Sequence, residues 1–121
     1  MAADQTYRKK LMMCYQCGVC TGGCPVAYVK PEYNPRRMLE NVILGKYDEI
    51  LSSDLVWLCT SCQSCLERCP QRIEVSELLI ELRNLAAEKG KIPKLLLERA
   101  GRIAETGLST PVSRAGLIWR E

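Results

Sequence analysis

The chain contains no histidine and no phenylalanine among its 121 residues. Without histidine it can assemble neither a Ser–His nor a Cys–His catalytic pair, and it cannot hold a haem through a proximal imidazole. Without phenylalanine the core has to be built from Leu, Ile, Val, Met and Ala. Long apolar runs are missing too. Runs such as Leu55-Val56-Trp57-Leu58 and Leu95-Leu96-Leu97 fall far short of a membrane span, so no direct membrane insertion is expected. Met1 to Thr6 shows no basic stretch leading into an apolar one, so no secretory signal is expected and the predicted compartment is the cytoplasm. No glycine-rich phosphate fingerprint is present, and no alternating apolar run reads as a strand. These absences leave no convincing catalytic pocket in the chain itself.

Cysteine is what the chain has in quantity. All eight fall into two runs, Cys14, Cys17, Cys20, Cys24-Pro25 and Cys59, Cys62, Cys65, Cys69-Pro70. Each run reads C-x2-C-x2-C-x3-C-P, the bacterial spacing for iron–sulfur clusters. Thiolate is a soft, charged ligand suited to iron in a sulfide cluster. Two-residue gaps wrap the backbone around one cubane, so that three cysteines of a run reach three irons. The fourth, before proline, turns away and ligates the other cluster. Two 4Fe–4S clusters are therefore expected, one held by Cys14, Cys17, Cys20 and Cys69, the other by Cys59, Cys62, Cys65 and Cys24. The crossing ties the halves together and brings the clusters within electron-exchange range. A disulfide framework would need an oxidising compartment that nothing signals, and zinc takes ligands in separated pairs more readily than in a triple run.

The residues between the cysteines differ between the runs. Gly18, Gly22 and Gly23 are expected to permit positive φ and close backbone approach in the first loop. Their amides, with those of Gln16 and Val19, are placed to donate to sulfide. The second loop has no glycine between its cysteines. Tyr15, Tyr28 and Trp57 have two readings, as shields of the clusters or as plain core.

The formal net charge is +3, but eight thiolates and two oxidised clusters would bring the loaded chain to about −1. Apart from Arg8-Lys9-Lys10 and Arg36-Arg37 the basic residues are scattered and lack interleaved aromatics, so no nucleic-acid partner is expected.

Each cysteine of the second run stands 45 residues after its counterpart, as do Pro70 after Pro25 and Gly90 after Gly45. The chain reads as a duplicated unit of cluster loop and helix. One helix is predicted from Asn34 as N-cap and Pro35 in the first turn, with Met38, Leu39, Val42 and Ile43 on one face before Gly45. A short helical segment spans Tyr47 to Leu51. A second helix runs from about Ser76 to Lys89, with Leu78, Leu79, Leu82, Leu85 and Ala86 at helical spacing and Gly90 as its stop. A third starts near Pro93 and is expected to bury Leu96, Leu97, Ala100, Ile103 and Ala104 before Gly107. The 34 residues between Cys24 and Cys59 read as helix, so the fold class is mainly α: an α-helical ferredoxin whose two cluster-binding loops are related by an internal repeat. This domain is expected over residues 1–107. Residues 108–121 form a tail in which Leu117, Ile118 and Trp119 either fray or dock on a partner.

The first run in full, Cys14-Tyr-Gln-Cys-Gly-Val-Cys-Thr-Gly-Gly-Cys-Pro25, resembles the C subunit of heterodisulfide reductase. So do Asn34-Pro35-Arg36-Arg37-Met38 and Trp57-Leu58-Cys59-Thr60-Ser61-Cys62, and the likeness covers about residues 7–107. The resemblance implies an electron-transfer subunit of a methanogen-type enzyme complex. Electrons would pass from a flavin-containing subunit to the subunit that reduces the coenzyme M–coenzyme B heterodisulfide. The family's C subunit usually continues beyond the length at which this chain ends. Two other readings share the cysteine pattern: an iron–sulfur subunit of a different anaerobic or respiratory oxidoreductase, and a freestanding ferredoxin.

Overall fold

The computed structural model describes residues 5–107, with side chains described from Lys9 onward. The predicted tail lies outside the described residues. Among the described residues eight α-helices follow one another: α1 (Gln5–Met12), α2 (Val19–Gly22), α3 (Pro25–Val29), α4 (Pro35–Ile43), α5 (Tyr47–Ser52), α6 (Ser64–Glu67), α7 (Val75–Glu88) and α8 (Lys94–Thr106). A 3-10 helix, Asp54–Leu58, leads into the second cysteine run. No strand occurs among the described residues, so the mainly helical fold read from the sequence is the fold observed.

Local chemistry accounts for the helix ends. Pro35 takes the first turn of α4, where its missing N–H costs nothing. The Asn34 side chain accepts from the Arg37 amide at 3.1 Å. Thr21 donates from its hydroxyl to the same Asn34 oxygen at 2.8 Å and accepts from the Arg36 amide at 3.0 Å. Two orphan amides of α4 are thus satisfied by a network that also ties α2 to it. At the other end Gly45 and Gly90 have φ of +75° and +68°, the left-handed conformation that closes a helix without a Cβ penalty.

The chain divides into two compact units, the first reaching Lys91 and the second starting at Ile92. In the first, Leu11, Tyr33, Met38, Leu39, Val42, Ile50, Val56, Ile73, Val75, Leu78, Leu79 and Leu82 form one buried cluster. α4 and α7 contribute most of it, because both carry apolar residues at helical spacing. Of the predicted apolar faces, Met38, Leu39, Val42, Leu78, Leu79, Leu82 and Ala86 are buried, with Ile43 and Leu85 half-buried. In the second unit α8 ends at Gly107 as expected, with φ +71°. The burial expected of it is not found. None of its residues is buried, and Leu97 and Ile103 remain 53% and 45% exposed. Helical spacing establishes that an apolar stripe exists, not that a neighbour covers it.

The repeat is more complex than one shift of 45. The short helices α2 and α6 obey it residue for residue, Val19–Gly22 against Ser64–Glu67. The long helices do not. The buried positions Pro35, Met38, Leu39 and Val42 of α4 correspond to Val75, Leu78, Leu79 and Leu82 of α7, a shift of 40. Five residues are absent between the second cysteine run and its helix, where the first half holds α3. α7 regains them at its C-terminal end.

Candidate metal centres

The cysteine loops share one backbone design. Gln16 and Gly18 have φ of +59° and +82°, and their counterparts Ser61 and Gln63 have +56° and +62°. The turn places the Gln16 amide 3.4 Å from Cys14 Sγ, and the Ser61 amide 3.4 Å from Cys59 Sγ. Both bonds donate to a sulfur two residues earlier, 45 residues apart. The absence of glycine from the second loop therefore does not change its path, and Ser61 and Gln63 sit in a conformation that disfavours a Cβ.

Only part of the expected glycine chemistry is present. Gly18 supplies the positive φ. The amides of Gly22 and Gly23 are instead engaged with the carbonyls of Gly18 and Val19, because α2 closes a turn over them. Gly23 serves a different purpose. A Cβ there would lie 3.0 Å from Arg68 Nη1 and 3.3 Å from the Val19 carbonyl oxygen. Arg68 is the residue 45 positions later, so equivalent points of the two loops face each other, and a Cβ at Gly23 would require its neighbours to give by a few tenths of an ångström.

Two of the cavities beside these loops gather four cysteines each. Cys14, Cys17, Cys20 and Cys69 line one, with Arg36 and Leu39 from α4 and Val75 from α7. Cys24, Cys59, Cys62 and Cys65 line the other, with Tyr33, Pro35 from α4, and Ser76 and Leu79 from α7. The helix residues match under the shift of 40: Arg36 with Ser76, Leu39 with Leu79, Pro35 with Val75. Every cysteine thus lines a cavity, and each cavity takes its fourth cysteine from the opposite run.

Burial sets the acidity of these groups as free thiols. It pushes the Cys65 thiol up to about 11, with Cys59 nearby adding to the shift, and it raises Cys20. Cys62 moves down instead, because the Ser64 amide and hydroxyl stabilise its thiolate. Iron ligation requires thiolate, so at Cys20 and Cys65 the metal must outweigh a desolvation penalty. Cys17 and Cys62, the second cysteine of each run, are exposed, while the other six are half-buried. Among the described residues, no three cysteines or carboxylates converge where a single metal ion would sit. A tetrahedral zinc needs its sulfurs about 3.8 Å apart, whereas a cubane offers each thiolate a separate iron. The donor set, four cysteines on each cavity, fits the cubane.

Sequence reasoning missed three residues here. Tyr33 is almost wholly buried, and its phenol is pushed well up by burial and then by hydrogen bonding with Cys59. Arg83 of α7 donates through Nε to the Val56 carbonyl at 3.0 Å and through Nη2 to the Cys59 carbonyl. Lys10 pairs with Glu74 at 2.9 Å and ties α1 to the start of α7. None lies in a motif, and tertiary packing alone brings them to the site. Of the aromatics considered as shields, Tyr28 is 91% exposed and Tyr15 is exposed as well, whereas Trp57 is half-buried against the core.

Comparison with known proteins bears on the same region. Residues 10–73 match the family described as a 4Fe-4S dicluster domain. Over 105 residues the chain is 39% identical to an iron-sulfur C subunit (the one numbered 2) of the CoB–CoM heterodisulfide reductase of Methanocaldococcus jannaschii, covering 87% of this chain and 55% of that protein. It is 40% identical over 103 residues to the C2 subunit of the H2/formate:CoB-CoM heterodisulfide,ferredoxin reductase of Methanococcus maripaludis, covering 85% and 55%. Over 100 residues it is 39% identical to the iron-sulfur C subunit of the CoB–CoM heterodisulfide reductase of Methanopyrus kandleri, covering 83% and 52%. The chain spans about half the length of the curated relatives it matches.

Proposed function

The chain belongs to the 4Fe-4S dicluster domain family, and from that premise we propose that it is the electron-transfer part of a heterodisulfide reductase complex. Cys14, Cys17, Cys20 and Cys69 would hold one 4Fe–4S cluster, and Cys24, Cys59, Cys62 and Cys65 the other. The observation that supports this pairing is the lining of the two cavities, each with three thiols of one run and the fourth of the other.

When bound, the clusters supply one-electron oxidation and reduction at iron. The protein's part is to hold, insulate and expose. The Gln16 and Ser61 amides donate to Cys14 and Cys59, offsetting negative charge on those sulfurs. Leu39 and Leu79 give each cavity an apolar wall. Cys17 and Cys62 are exposed, so each centre has a side that a partner can approach. These features suit a relay with two outlets and no substrate site of its own.

Partnership with other subunits is supported by the relatives, which are named as C subunits of heterodisulfide reductases. A flavin-containing subunit would donate electrons, and the acceptor would be the subunit that reduces the coenzyme M–coenzyme B heterodisulfide. The working domain is residues 1–107, in the cytoplasm. Among the described residues no helix is long and apolar enough to cross a membrane.

The test is anaerobic purification from the native host through a tag on this chain. The expected result is about eight irons per chain, with flavin-bearing and heterodisulfide-reducing subunits in the same complex. Stoichiometric zinc with little iron would overturn the cluster reading. A chain isolated alone would point to a freestanding carrier. Cys24→Ser tests the crossing: its spectroscopic effect should fall on the centre otherwise held by the second run, and an effect confined to the first would refute the pairing.

A further inference from the structure

Ser76 stands out among the described residues as a buried polar side chain with no hydrogen-bond partner. It is 4% exposed, lies at the start of α7, and lines the cavity of Cys24, Cys59, Cys62 and Cys65. A buried hydroxyl left unpaired is destabilising, and native proteins seldom leave one so. The described residues offer it no acceptor, yet the cavity it lines is where the four thiolates gather. Its equivalent under the helix shift of 40 is Arg36, which lines the other cavity and reaches Gln16 Oε1 at 3.4 Å. The two centres are therefore built unequally, with a guanidinium at one and a neutral hydroxyl at the other.

We infer that Ser76 Oγ donates a hydrogen bond to a sulfur atom of the centre held by Cys24, Cys59, Cys62 and Cys65, and so sets that centre's reduction potential. The inference rests on the cluster assignment proposed above. A donor to sulfur stabilises the more negative, reduced state, so it raises the potential. The interaction is local, so the centre beside Arg36 should not feel it.

The experiment is redox titration of the anaerobically purified, cluster-loaded chain, followed by electron paramagnetic resonance, for wild type and Ser76→Ala. Iron content and the presence of two cubane signals are measured first, and their absence in wild type would defeat the cluster assignment, not the role of Ser76. Cys24→Ser identifies which signal belongs to the second centre. In Ser76→Ala that couple should become about tenfold harder to reduce, equivalent to about 59 mV for one electron, while the other couple stays in place. Ser76→Thr, which keeps the hydroxyl, should restore the wild-type value. Should the alanine variant fail to load, Ser76→Gly removes the same hydroxyl and should lower the same couple in the same way. An unchanged second couple, as expected if a buried water satisfies the hydroxyl, overturns the inference. So does an equal shift of both couples.

Discussion

Arg83 is the residue whose removal tests the architecture most directly, because it pins the second cysteine run to α7 from the inside. Its guanidinium forks between the Val56 and Cys59 carbonyls. Arg83→Met keeps most of the side-chain volume and removes both donors. Val56 is fully buried, so its carbonyl loses a partner that water cannot replace, at a cost of about 2 kcal/mol. Cys59 is half-buried, so water recovers part of the second bond and the loss there is about 1 kcal/mol. The total of about 3 kcal/mol corresponds to a fall in Tm of about 12–24 °C for a domain of this size. Arg83→Lys presents a point charge without the fork and should lose about half as much. The assay is thermal unfolding of the cluster-loaded chain under anaerobic conditions, followed by circular dichroism at one fixed scan rate, because cluster loss makes unfolding irreversible. A methionine variant melting within about 2 °C of wild type would show that these bonds do not hold the run in place.

Other perturbations probe separate parts of the fold. Leu82→Ala empties a fully buried position of α7 and should cost about 2–5 kcal/mol by denaturant unfolding. Leu97→Ala on α8 should change stability by less than about 0.5 kcal/mol, and a loss like that at Leu82 would mean α8 is covered after all. Asn34→Ala removes the acceptor for the Arg37 amide and the Thr21 hydroxyl, and a loss of about 1–2 kcal/mol in the same measurement is expected. Both loops should favour glycine at their positive-φ positions. Gly18→Ala, at φ +82°, should destabilise by about 1 kcal/mol, while Gln63→Gly should be neutral or slightly stabilising as relief of backbone strain offsets the flexibility gained by the unfolded chain. A clear loss from Gln63→Gly would refute that assignment of strain.

Much of the fold is legible in the sequence because it is encoded in local chemistry. Asn34-Pro35 announces a helix start through one side-chain acceptor and one ring, and Gly45, Gly90 and Gly107 announce ends through a conformation that glycine alone adopts freely. The periodicity of α4 and α7 marks their inner faces correctly. The same rule applied to α8 predicts burial that does not occur, because coverage depends on a neighbour and not on the stripe. Arg83, Tyr33 and Ser76 carry no such local signal. Each matters through a group many residues away in sequence, and the types Arg, Tyr and Ser are common wherever chains meet solvent.

By itself the sequence determined the ligand type, the loop spacing and the 45-residue repeat of the loops, since thiolate chemistry and chain reach operate over a few neighbouring residues. The tertiary structure decided the rest. It packed the long helices at a shift of 40, because a helix is positioned by the layer it buries and not by its distance from the preceding loop. It set Gly23 against Arg68, gathered Cys24 with the second run and Cys69 with the first, and left a guanidinium beside one cavity and a buried hydroxyl beside the other. These asymmetries arise only when two similar halves are folded against each other, because close packing makes each half fill what the other leaves open.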